Sequence, residues 1–196
     1  MPRSNRVPRF VLLVSCACAT PAIAQSSADE QAARAVLAAP EGLRDDATVL
    51  GYGGEARDGD ALTLLRDGSN GIVCLADDPA DDRFHVACYH ESMDPFMALG
   101  RRLRAEGMSR DEVQQARGAA IEAGEIEAPS AALWSITAPA GFDPADEASA
   151  EGVQRLSVVY VPYAEGDELG LPTRPDGDSP WLMLPGTPWA HIMIAR

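Results

Sequence analysis

Lysine is missing from this chain of 196 residues, and all 16 of its basic side chains are arginine. Without lysine there is no Schiff-base nucleophile, no Walker phosphate lysine and no Ser-x-x-Lys acylation centre, so several enzyme classes fall together. Aromatic residues make up only 6% of the chain, and there are three histidines, His85, His90 and His191. No glycine-rich dinucleotide fingerprint follows a predicted strand, and Gly68-Ser69-Asn70-Gly71 is a turn between strands, not a Gly-x-Ser-x-Gly nucleophile elbow. Long apolar stretches are lacking too. The run at residues 10–19 is far shorter than the roughly 18 residues of a spanning helix, so no transmembrane anchor is expected.

That run belongs to a leader. Arg3, Arg6 and Arg9 precede it and Ala22-Ile23-Ala24 follows, a small-x-small pattern that predicts a secretory signal over residues 1–24 and a single domain over residues 25–196. Leu13-Val14-Ser15-Cys16 also reads as a lipobox, and the alternative is a lipid anchor at Cys16. Either processing places the domain in the periplasm or outside the cell. Cleavage after Ala24 removes three arginines and no acidic residue, which deepens the formal net charge of −14 to about −17 and excludes nucleic acid as a partner. It also removes Cys16 and Cys18. The surviving pair, Cys74 and Cys88, is read as one disulfide, whose loop closure contributes about 3 kcal/mol.

Ser27-x-x-Glu30 is a capping box, and the alanine-rich stretch after it predicts a short helix that Pro40 stops. Residues 47–52 and 61–66 read as strands, the second turning through residues 67–71 into a strand at 72–76, which looks like a hairpin. A further strand at 83–90 returns after the acidic loop 77–82, and antiparallel pairing sets Cys88 opposite Cys74. Asp94-Pro95 reads as an N-cap with proline at the first helical position, and Phe96, Leu99 and Leu103 recur at helical spacing up to Gly107. Ser109-x-x-Glu112 opens another helix ending near Gly124, and strands are expected at 131–137, 155–161 and 191–195. The fold class is therefore α+β, a mostly antiparallel sheet with two or three packed helices and one disulfide. Residues 162–190 hold six prolines and four glycines and read as one long irregular loop, a length that marks a functional segment.

The chemistry-bearing residues are few. His90-Glu91-x-x-Asp94 lacks the second imidazole of a zinc-protease helix, and the acidic loop 77–82 lacks the spacing that wraps oxygens around calcium. The first reading is a non-catalytic module that binds a small molecule or a protein through Tyr163, Trp181, Trp189 and His191, with no cofactor and no resident metal. If residues 191–195 form a strand, His191 and Met193 share the face opposite Ile192 and Ile194. That orientation puts His191 beside Trp189, either in a pocket wall or fixing the Pro185-Gly186-Thr187-Pro188 turn. The alternative is a metal-binding protein or metal-dependent hydrolase using His191 with His85 or His90, a pair whose odd offset points its members to opposite faces of a regular strand.

Three sets of segments carry a resemblance. They are Ala47-Thr48-Val49; Leu65-Arg66-x-Gly68-Ser69-Asn70-Gly71 with Cys74 and Cys88; and Pro185-Gly186-Thr187-Pro188-Trp189-Ala190-His191-Ile192-Met193. In these the chain resembles a group of exported bacterial proteins of unknown function. The resemblance implies export and a single domain, and it carries over no catalytic residue.

Overall fold

The computed structural model describes residues 26–53, 62–146 and 151–196. The leader, with its Cys16 and Ala24 alternatives, lies outside the described residues, as does Ala61. Within them the sheet is eight strands wide: β1 (Thr48–Gly51), β2 (Thr63–Arg66), β3 (Ile72–Leu75), β4 (Phe84–His90), β5 (Ala132–Ala138), β6 (Gln154–Tyr160), β7 (Trp181–Met183) and β8 (His191–Ala195). Their spatial order is β2-β1-β3-β4-β5-β6-β8-β7, antiparallel throughout except for the parallel pair β1 and β3. With helices α1 (Ala28–Ala35), α2 (Asp94–Ala105), α3 (Arg110–Glu122) and the single turn α4 (Gly166–Leu169), this is the α+β class that the sequence predicts.

Local chemistry explains most element ends. Both capping boxes form: Ser27 and Ser109 each accept the backbone N–H three residues on, while Glu30 and Glu112 reach back to the cap N–H. Gly107 and Gly124 take left-handed conformations just beyond α2 and α3, which a side chain would resist. Asp94 departs from the expectation, since α2 begins at Asp94 itself with Met93 as its cap residue. The carboxylate is occupied elsewhere, accepting the Tyr89 hydroxyl at 2.7 Å and pairing with Arg101 at 3.2 Å.

The disulfide expectation holds. Cys74 and Cys88 are directly opposite in the β3–β4 ladder, with Cα atoms 4.0 Å apart, and they form the bond. The expected hairpin between residues 61–66 and 72–76 does not form, because β1 lies between β2 and β3 and pairs with both. The turn at 67–71 packs against the entry to β1: Ser69 and Asn70 donate their N–H groups to the Asp46 carbonyl, and Gly68 donates to Thr48 Oγ1. A Cβ at Gly68 would collide with the backbone of residues 46–48, so only glycine permits the approach that lets β1 slip in. The segment 162–190 is also more ordered than its proline and glycine content suggests, since it contains α4 and β7.

Strand alternation sends Val49, Cys74, Val86, Cys88 and Ile136 to one face, where α1 and the 3-10 turn Val36–Ala38 cover them. The other face carries Leu50, Val73, Tyr89 and Leu133, and Met93 and Met97 of the α2 region pack there. The register Tyr89–Leu133–Val158–Met193–Trp181 continues that face to the last strand. It is the face on which the candidate site lies.

Candidate functional site

Near the C-terminal end of the sheet, α2, α3 and the loop between β7 and β8 enclose a cavity of about 520 Å³. Its floor is Tyr160 of β6 beside His191 of β8, adjacent in register, with ring centroids 5.1 Å apart. Phe96 of α2 meets the Tyr160 ring edge-on at 6.4 Å and tilts toward Trp189 at the same distance. One face of α3 completes the wall: Arg110, Val113, Gln114 and Arg117 follow the i, i+3, i+4, i+7 spacing that aligns residues along a helix. Arg104 from the last turn of α2 and Leu184 from the loop close the rim.

Two glycines shape the walls. The Arg117 guanidinium lies where a Cβ of Gly100 would be, with its Cζ 4.0 Å from the centroid of Phe96, and its Nε donates to the Phe96 carbonyl at 2.9 Å. The benzene edge of the Trp189 indole comes within 3.5 Å of the Cβ position at Gly118, in van der Waals contact with α3. Leu184 sits at φ 54°, a left-handed conformation that costs a non-glycine residue of order 1 kcal/mol or more, and its carbonyl accepts the Thr187 hydroxyl at 2.7 Å. Strained backbone at the rim of a cavity is where functional loops store it.

The electrostatics are one-sided. Burial pushes the Arg117 pKa down to about 10, helped by the nearby Arg104 charge, yet the group stays cationic at neutral pH. Burial raises the Tyr160 phenol, which remains protonated, and lowers His191. The His191 Nδ1 is 2.8 Å from the Trp189 carbonyl, which can only accept, so Nδ1 carries the proton and Nε2 is left as an acceptor. The Trp189 indole N–H is buried without an acceptor among the described residues, a cost of about 1–3 kcal/mol. Among the described residues no carboxylate lines the cavity. Between described residues the one ion pair within 4.0 Å is Arg101 with Asp94, so Arg104, Arg110 and Arg117 have none.

Of the four residues expected to bind, the structure brings two together. Trp189 and His191 line the cavity, and the placement of His191 opposite Ile192 and Ile194 follows the strand alternation. Trp181 is on the same face, paired with Met193, but one ladder step away from the cavity. Tyr163 is 55% exposed, lies outside it, and contributes its backbone N–H to the Thr187 carbonyl at 2.8 Å. Sequence reasoning missed Phe96, Tyr160 and the three arginines. A signal was available: five of the 16 arginines fall within residues 101–117, a net-positive stretch in a strongly acidic chain.

The three imidazoles do not converge. His85 and His191 are on strands separated by β5 and β6, about 14 Å apart across the sheet at ordinary strand spacing. His90 faces the other side and pairs its Nδ1 with Ser92 at 2.9 Å. Among the described residues no group of three or more His, Cys, Asp or Glu side chains is placed to hold a metal ion.

A second concavity of about 450 Å³ lies under Arg101 and Arg104. Its cations face Asp78 and Asp81, and Arg101 is already bonded to Tyr89 and Asp94. Arg101 is thus already paired, while Arg104 borders both cavities and has no carboxylate within 4.0 Å among the described residues.

No family model, no curated protein and no solved structure matches the chain. Among the described residues no helix is long and apolar enough to cross a membrane.

Proposed function

We propose that the chain is an exported, non-catalytic module that binds a small molecule in the cavity between α2, α3 and the β7–β8 loop, with Trp189 and His191 as its principal apolar and polar contacts. The carrying observation is the cavity itself, about 520 Å³ walled by four aromatic or imidazole rings. That size and lining suit a small organic ligand. The binding reading is further supported by the lining, in which no serine, threonine, cysteine or carboxylate is found among the described residues. Export is supported by the leader pattern, the resemblance to exported proteins and the Cys74–Cys88 bond, which suits an oxidising compartment. The mature chain begins at Gln25, with a lipidated Cys16 as the alternative, and the intact mass of the processed protein distinguishes the two.

Binding is tested by two-dimensional NMR with a library of small organic fragments. Shifts should cluster on Phe96, Val113 and the Trp189 indole N–H. Trp189→Phe should then weaken the tightest compound about tenfold, while Trp181→Phe leaves it within about twofold. Compounds that move signals elsewhere and tolerate Trp189→Phe would refute the assignment, as would a library in which nothing moves them.

A further inference from the structure

We infer that the ligand of this cavity is a small ring compound bearing an oxyanion, a carboxylate, phosphate or sulfonate. The inference rests on the cavity being a binding site, and it adds the ligand's charge. Arg104, Arg110 and Arg117 reach one cavity from two helices, in a chain with 30 acidic residues, and none has a carboxylate within 4.0 Å among the described residues. Three like charges at one site repel one another, and the half-buried Arg117 is least screened by water, while Arg104 and Arg110 stand exposed at the rim. An oxyanion relieves that arrangement and receives charge-assisted hydrogen bonds from guanidinium groups.

Arg117 is set for this role. Its Nε is committed to the Phe96 carbonyl and its plane rests on the Phe96 ring, so the fork is held in place, while its terminal Nη groups have no hydrogen-bond partner among the described residues. Gly100 is what admits it, because any side chain there would occupy the guanidinium's space. Tyr160, His191 and Trp189 supply ring surface to the same cavity, and burial keeps His191 neutral near pH 7, so it adds an acceptor and no charge. The charge and the ring faces together define the ligand class. Three arginines at one concave site in a strongly acidic protein select small anions over polyanionic surfaces, which the net charge repels.

The test is calorimetric titration of the purified, oxidised protein with phenylacetate, phenyl phosphate, benzyl alcohol and benzylamine, a set that holds the ring and varies the charge. At least one of the two anions should bind about tenfold or more tightly than benzyl alcohol, benzylamine should not bind, and the tighter anion identifies the oxyanion. Arg117→Gln should abolish the preference. Gly100→Ala, which puts a Cβ in the space of the guanidinium, should weaken the anion about tenfold while circular dichroism stays at the parent spectrum, since only the end of the Arg117 side chain must move. If benzyl alcohol binds as tightly as the anions, or Arg117→Gln leaves anion affinity intact, the charge inference fails while the binding reading stands. If none of the four binds and the Phe96 and Trp189 NMR signals do not move in the fragment screen either, the binding reading fails first.

Discussion

On one face of the sheet, Ala35, Ala38 and Ala39 lie against Val49, Cys74, Val86 and Cys88, and each of these residues is at most 1% exposed. On the other, α2 and α3 approach through Phe96, Arg101 and Arg117, and two concavities remain beneath them. The difference is one of side-chain size and charge. Alanines let a helix settle close to the strands, and the concavity on that face, about 500 Å³, lies at its border by Arg34, Phe84 and Phe142, whereas on the other face Arg117 laid on Phe96 keeps polar groups directed inward between the helices and the sheet. The first face is built for stability, and the second gives up part of that stability for a cavity.

The sharpest way to break this contrast is to remove the staple from the closed face. Replacing Cys74 and Cys88 together by alanine should cost about 3 kcal/mol, seen as a Tm lower by roughly 10 °C, because the bond closes a loop with a sequence separation of 14. An equal loss of stability from Arg117→Met would erase the distinction. We expect that change to be neutral or stabilising, since a partly buried cation without an ion pair is replaced by a side chain of similar length.

A smaller effect should come from Tyr89→Phe. The Tyr89 hydroxyl is buried, accepts from Arg101 at 2.6 Å and donates to Asp94 at 2.7 Å, so its loss should cost about 1–2 kcal/mol in denaturant titrations. Smaller again is the pH response of His191. Burial lowers its folded pKa below 6.5, so as the pH falls below 6.5 the unfolded chain takes up a proton that the folded one refuses. Stability should therefore decline from pH 7.5 to 5.5, and His191→Phe should flatten that part of the decline when Tm is followed against pH. The smallest change is Tyr163→Gly, within about 0.5 kcal/mol, because the exposed ring packs little and glycine suits its φ of 62°. Unchanged ligand affinity in that variant would separate Tyr163 from the site for good.

The closed face was largely legible in the sequence. Two cysteines bracketing an acidic loop, strand alternation on either side and the Ser27–Glu30 capping box of α1 are local signals, and each specifies its own geometry. The insertion of β1 between β2 and β3 was not legible, because the turn at 67–71 looks the same whether its strands pair with each other or flank a third; what decides is the tight packing of Gly68 on residues 46–48. The cavity was half legible. Trp189 and His191 are close in sequence, and alternation relates them to one face, whereas Arg104, Arg110 and Arg117 meet the rings only through the packing of α2 on α3. The aromatic content of residues 162–190 drew attention to Tyr163 and Trp181, which are near the site without entering it.

The strand order has a consequence for self-association. The seven-residue strands β4, β5 and β6 occupy the middle of the sheet, and the borders are β2, with four residues, and β7, with three. An edge strand is a template for pairing with another copy, and its reach is set by its length. Here Pro180 directly precedes β7 and Pro185 follows it two residues on, so that template ends within a single turn of chain on either side. Together with a charge that makes copies repel one another, such short borders keep a wide sheet from growing by addition of its own kind.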